Sequence, residues 1–209
     1  MEHLLLCSLF MNSEEEQATL IVELEEWEWQ HAISVASYRT TQNWHKEDAQ
    51  QYQGNKSAME DNRTANERTC ICELAVAKGT NRYWSGSAWP ASAHNRHRSQ
   101  IADAGRNIEV RSVRTRGGLK IKETDTGKGT ILFGARTLTT NGKEELRKVE
   151  ILGLIDLDKA WEAVKDNDPP DYIKYEETIG RRTREIPISM LQKLRLDENG
   201  NYIDKRQLS

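Results

Sequence analysis

Asp103, Glu109 and Arg111 stand close together in the stretch DAGRNIEVRSVR, residues 103–114. Side chains alternate faces along a strand, so Glu109, Arg111 and Val113 share one face of this segment, and Ile108, Val110, Ser112 and Arg114 the other. A carboxylate between Ile108 and Val110 needs a reason. Asp103 lies just upstream, across Gly105, in a segment flexible enough to turn its carboxylate toward Glu109. Two converging carboxylates suit a hard divalent cation such as Mg²⁺, with Mn²⁺ as a substitute, which takes a few carboxylate oxygens plus water and phosphate. A metal there would polarise a phosphodiester and lower the pKa of a bound water. A cationic side chain beside it would stabilise charge developing on the phosphorane. The blander alternatives are a turn role for Asp103 and an edge-strand ion pair between Glu109 and Arg111.

These residues lie in the most basic part of a chain whose formal net charge is -3. Residues 78–122 carry ten lysines and arginines against only Asp103 and Glu109, whereas residues 11–40 carry seven glutamates against only Arg39. A local excess of that size favours a polyanion such as DNA, gripped through its phosphates. Arg96, Arg98, Arg106, Arg114 and Arg116 are the candidate contacts. Neutralisation of this face by the N-terminal glutamates is the equally weighted alternative. Trp84 and Trp89 are placed to stack on bases or, more commonly, to anchor a loop. His94 and His97 have no cysteine or carboxylate at ligand spacing and read as loop residues.

Positioning such a site requires a scaffold, and the pattern predicts an α+β chain, an α/β-type mixed sheet flanked by helices. ATLIVEL (18–24) reads as a short strand or helix start, followed by a helix to about Arg39. NERTCICELAVAKGT (66–80) reads as a helix stopped at Gly79. IEVRSVR and LKIKE are expected to form a hairpin across TRGG, which would set Lys122 opposite Val113 on the face of Glu109 and Arg111. GTILFGARTL and VEILGLIDL are further strands, the latter running into the helix DKAWEAV, with IPISMLQKL as a last apolar piece. The division expected is an N-terminal helical extension (1–60), a core (61–195) and a polar tail (196–209). The acidic helix with Trp27 and Trp29 is an ordinary amphipathic element or a homodimer surface.

Three cysteines, Cys7, Cys70 and Cys72, build no disulfide framework, so a reducing cytoplasm is expected. HLLLCSLF (3–10) is short and lacks a basic flank, which argues against export, and leaves Met11 as an alternative start after a disordered extension. No stretch approaches the ~20 apolar residues of a membrane span.

Asp103, then Glu109-x-Arg111 on a strand, preceded by Glu73 in ICELAVAKG, resembles the PD-(D/E)XK nuclease superfamily, particularly its short phage-encoded members. The resemblance covers roughly residues 60–195, and VEILGLIDL matches a later strand. It implies a restriction-endonuclease-like core and Mg²⁺-dependent DNA hydrolysis, with Asp103, Glu109 and Glu73 on the metal and Arg111 or Lys122 at the scissile phosphate. Arg111 departs from the superfamily's lysine, and a guanidinium stays protonated, so it serves as a phosphate ligand and not as a base. The same departure supports two alternatives. One is a nuclease-fold module that binds DNA or a host protein without cutting; the other is a phage structural or assembly protein.

Overall fold

Leu20–Glu23 (β1) alternates Val22 inward with Ile21 and Glu23 outward, the period of a strand with one wet face. The structure, a computed structural model, describes residues 19–43, 62–88, 101–113, 117–164 and 183–203. β1 leads into helix α1, Glu26–Asn43, whose start is closed by Glu28 reaching back to the Glu25 backbone N–H at 2.8 Å. Helix α2, Asn62–Gly79, carries the small buried residues Cys70, Cys72, Ala75 and Ala77, which let it pack closely. It stops at Gly79, as expected. Asn81 takes the left-handed conformation (φ 52°), and the N–H groups of Arg82 and Asn81 close back on Ala77 and Lys78 carbonyls at 2.7 and 3.1 Å. Gly79 also serves packing: a Cβ there would meet Val22 Cγ2 of β1 at 2.8 Å.

The remaining elements are β2 (Ile108–Ser112), β3 (Leu119–Lys122), a 3-10 turn at Glu123–Asp125, β4 (Ile131–Thr140), β5 (Lys143–Asp156), α3 (Leu157–Val164), β6 (Thr183–Ile186) and a 3-10 turn at Ile188–Met190. The fold is α+β, with a mixed four-stranded sheet ordered β1-β5-β4-β2. β2 runs parallel to β4, with Ile108 opposite Ile131 and Ser112 opposite Ala135, while the other pairs are antiparallel. Two apolar clusters fill the two faces of this sheet. Ala32 and Ala36 of α1 and Ile71, Cys72 and Val76 of α2 pack with Val22, Val110, Phe133 and Ile151 on one side. Leu157, Ala160 and Val164 of α3, spaced as one helical face, pack with Leu119, Ile121, Leu132 and Ile186 on the other.

The hairpin expected across TRGG is not formed. β3 pairs antiparallel with β6 in a separate two-stranded ribbon, and Lys122 lies opposite Thr183, not Val113. The reason is visible in β2, whose alternate apolar residues serve the α2 face, with β4 on one edge and Ala104 bridged to Ile108 on the other. Leu119 and Ile121 are drawn instead into the cluster under α3. The described parts of the expected N-terminal extension and C-terminal tail, residues 19–43 and 196–203, join the core: β1 pairs with β5, and Leu196 and Tyr202 bridge and pack against the first cluster. Among the described residues, no helix is long and apolar enough to cross a membrane.

A bulge sets how the two clusters divide β5. Gly134 pairs with Gly153 and Ala135 with Ile151, so Leu152 is the extra residue and turns toward the α3 side. Gly153 sits at φ 146°, and a Cβ there would lie 2.5 Å from the Gln192 carbonyl oxygen, where Leu154 and Gln192 exchange backbone bonds of 2.9 Å. Gly153→Ala is therefore expected to cost roughly 2–4 kcal/mol, read as a lowered urea midpoint at unchanged slope.

Candidate functional site

Asp103 and Glu109 are brought together by a tight reversal. Ala104 and Ile108 exchange backbone hydrogen bonds of 3.2 Å, closing a turn over Gly105, Arg106 and Asn107, with Gly105 at φ 57°. One residue further along each arm stand Asp103 and Glu109. The outer arm is held in turn by residues 83–85: Ser85 N–H donates to the Asp103 carbonyl at 3.0 Å and Gly105 N–H to the Tyr83 carbonyl at 2.8 Å. The Asp103 carboxylate accepts the Val110 N–H at 2.8 Å, which gives it the turn-stabilising role as well as a place beside Glu109.

Glu109 and Arg111 share the β3-facing side of β2, as strand alternation requires, and form an ion pair. Arg111 also donates to the Asp125 carboxylate at 2.9 Å, the Lys120 carbonyl at 2.9 Å and the Val110 carbonyl at 3.2 Å. It stitches the edge strand to the ribbon where no ladder does. Asp125 also accepts the Lys122 N–H at 3.1 Å, so Lys122 touches this network through its backbone.

Glu73 belongs to the other side of the sheet. It is buried on α2, and Arg39 of α1 grips both its oxygens at 2.8 Å, with side chains only 16 % and 3 % exposed. Trp84 donates its indole N–H to the same carboxylate at 3.1 Å, and His31 of α1 meets the Trp84 ring edge-on at 5.3 Å between centroids. Trp84 is thus a buried anchor and not a stacking platform. Its solvent-facing reading for bases is overturned by its 8 % exposure.

The charges of the two halves meet at Asp103. Burial raises its pKa well above the usual carboxylate range, the nearby Glu73 and Glu109 charges add to that, and Arg111 and the Val110 N–H oppose it only in part. Burial works against the charge on Arg39 and Arg111, yet their carboxylate partners raise both above the ordinary arginine value. Burial pushes the Cys70 thiol to about 12, helped by Glu73, so it stays protonated and inert. Cys70 and Cys72 are both unpaired.

Among the described residues, no three His, Cys, Asp or Glu side chains come together as one metal site. Mg²⁺ does not require three: one or two carboxylates with water and substrate phosphate suffice. Asp103 and Glu109 are hard oxygen donors at neighbouring positions and fit that demand. Glu73 does not, because Arg39 and Trp84 occupy both of its oxygens. Of the predicted phosphate contacts, Arg106 is exposed at the tip of the reversal between the two carboxylates. Arg96, Arg98, Arg114 and Arg116, with Trp89, His94 and His97, lie outside the described residues. Lys78, counted in the basic excess, is paired with Glu28 at 2.6 Å. Two residues escaped sequence reasoning. Arg39 was visible only as the lone base of an acidic stretch, and Asp125 reads as an ordinary loop residue in KETDTGKGT.

Removing one partner of a buried pair strands the other, so Glu73→Ala is expected to cost about 3 kcal/mol or more by chemical denaturation. Asp103 binds its proton more tightly folded than unfolded. Its contribution to stability therefore falls as pH rises from about 4 through the folded value. Asp103→Asn keeps an acceptor for Val110 and removes the charge; it is expected to melt above the parent at about pH 8, with the gap closing toward about pH 4 in paired thermal scans. Comparison of the chain with protein-family models, curated proteins and solved structures finds no match, so the chemistry of the site is carried by its own geometry.

Proposed function

We propose that this protein hydrolyses DNA phosphodiester bonds with Mg²⁺ or Mn²⁺, on a restriction-endonuclease-like core of the PD-(D/E)XK type, in the cytoplasm of its host. The observation that carries the reading is the juxtaposition of Asp103 and Glu109 on the two arms of one reversal, next to the bridged pair Ala104 and Ile108. Four carboxylates, Glu73, Asp103, Glu109 and Asp125, share two guanidiniums, Arg39 and Arg111. Carboxylates outnumber guanidiniums there, and a divalent cation would stabilise Asp103 in its ionised form. A protein selected for stability alone gains nothing from such crowding, whereas a functional site commonly sacrifices stability for it.

In this reading Asp103 and Glu109 hold the metal, which supplies the charge that polarises the phosphodiester and lowers the pKa of a bound water. Arg106, exposed at the turn between them, binds a phosphate oxygen of the substrate backbone. Arg111 fixes the Glu109 carboxylate and remains protonated, so it orients and neutralises and does not take a proton. The Lys122 backbone N–H binds Asp125, and its ammonium is kept as the second candidate for the scissile phosphate.

A second reading, a module of the same fold that binds DNA or a host protein without cutting, is favoured by the commitment of Arg111 to Glu109, Asp125 and the Lys120 carbonyl. The two separate in one assay. Linear, circular and branched DNA incubated with Mg²⁺ or Mn²⁺ is expected to be cut by the parent protein, with Glu109→Ala slower by roughly a hundredfold or more. Binding that weakens steeply with salt, without cleavage, selects the second reading. A protein that neither binds nor cuts excludes both.

A further inference from the structure

A continuous set of polar contacts runs from helix α1 to the Asp103 carboxylate. Arg39 clamps Glu73 through two 2.8 Å bonds and, with its Nε, holds the Ser87 carbonyl at 2.8 Å. Glu73 accepts the Trp84 indole N–H at 3.1 Å. The backbone around Trp84 is the outer support of the Asp103 arm, through Ser85 N–H on the Asp103 carbonyl and Gly105 N–H on the Tyr83 carbonyl. Asp103 then fixes the Val110 N–H on β2 at 2.8 Å.

Glu73 and Trp84 at the centre of this path are buried, and its Arg39 contacts join segments far apart in the chain. Arg39 and Glu73 are 34 residues apart, and Arg39 and Ser87 are 48 apart. His31, two helical turns before Arg39 on α1, supports Trp84 from a second side. A guanidinium gripping a carboxylate with both nitrogens fixes its plane as well as its position. Glu73 thus spends its oxygens on orienting its neighbours and keeps neither for a cation.

We propose that Arg39 and Glu73 form a positioning pair that sets the Asp103 carboxylate through Trp84, and that Glu73 is not a metal ligand. The functional meaning of this pair rests on Asp103 serving as a metal-holding carboxylate, but its structural content does not.

Amide hydrogen exchange followed by NMR on the intact chain tests it without any metal. Arg39→Ala is expected to speed exchange at Ser85, Gly105 and Val110 by roughly tenfold, while the amides of Phe133 and Ile151 in the central strands keep their parent rates. Arg39→Lys, retaining one contact to Glu73, restores part of the protection. Unchanged rates at the three amides overturn the proposal, and so does a uniform acceleration that includes Phe133 and Ile151, which reports general loosening. Mn²⁺ binding, read by the electron paramagnetic resonance of the free ion, supplies the second arm. Asp103→Asn is expected to lose at least about tenfold in Mn²⁺ affinity, and Glu73→Gln, which keeps an acceptor for Trp84 and so part of the positioning, to lose measurably less. A loss in Glu73→Gln as large as that in Asp103→Asn makes Glu73 a ligand and overturns the proposal. A parent protein that binds no Mn²⁺ removes the metal reading, and the exchange rates still decide the pair.

Discussion

An ionised Asp103 would carry a charge that water stabilises, in a place where water is scarce and two further carboxylates push against it. Desolvation and like charge act in the same direction, and each disfavours the ionised form. The surrounding groups read as the answer to that constraint. Arg39 neutralises Glu73 on the α2 side, Arg111 neutralises Glu109 and Asp125 on the β3 side, and Val110 lends Asp103 a backbone donor. Asp103 is the carboxylate through which both halves communicate, because Arg39 and Arg111 each feel its charge.

The sheet makes this arrangement possible by keeping the halves apart. Val110 and Ile108 fill the cluster beneath α1 and α2, so Glu109 and Arg111 must face the ribbon of β3 and β6. Placing β2 at the sheet edge beside β4 leaves its outer side free for the 103–105 arm and the support from residues 83–85. Polar side chains then do work that a regular ladder would otherwise do. Arg111 ties β2 to the ribbon, and Arg39 ties α1 to α2 and to the Ser87 carbonyl. Such bonds are strong when complete and costly when half broken, so a network of this kind also specifies one geometry.

Much of the local structure is legible in the chain because local rules govern it. The alternation in IEVRS, the helical spacing of Leu157, Ala160 and Val164, and the break after AVAKG each reflect nearest-neighbour geometry, and the corresponding β2, α3 and α2 are found. The same reasoning failed at TRGG, where two glycines permit a hairpin but do not compel one. The choice between β2 and β6 as partner for LKIK depends on where Leu119 and Ile121 can be buried, and that is settled by residues more than sixty positions away. Gly79 ends its helix as expected, and only the tertiary structure adds that it must be small to admit β1.

For the candidate site, the residue types and the face shared by Glu109 and Arg111 follow from sequence, since a two-residue spacing on a strand leaves no alternative. So does the nearness of Asp103, which a five-residue gap containing Gly105 can close. Only the tertiary structure decided that Glu73 is buried against Arg39 and Trp84, that Asp125 completes the grip on Arg111, and that Lys122 faces Thr183 across the ribbon. Those are contacts between segments separated by tens of residues. Their formation depends on the burial of whole helices and strands, a long-range balance that no single stretch of chain encodes.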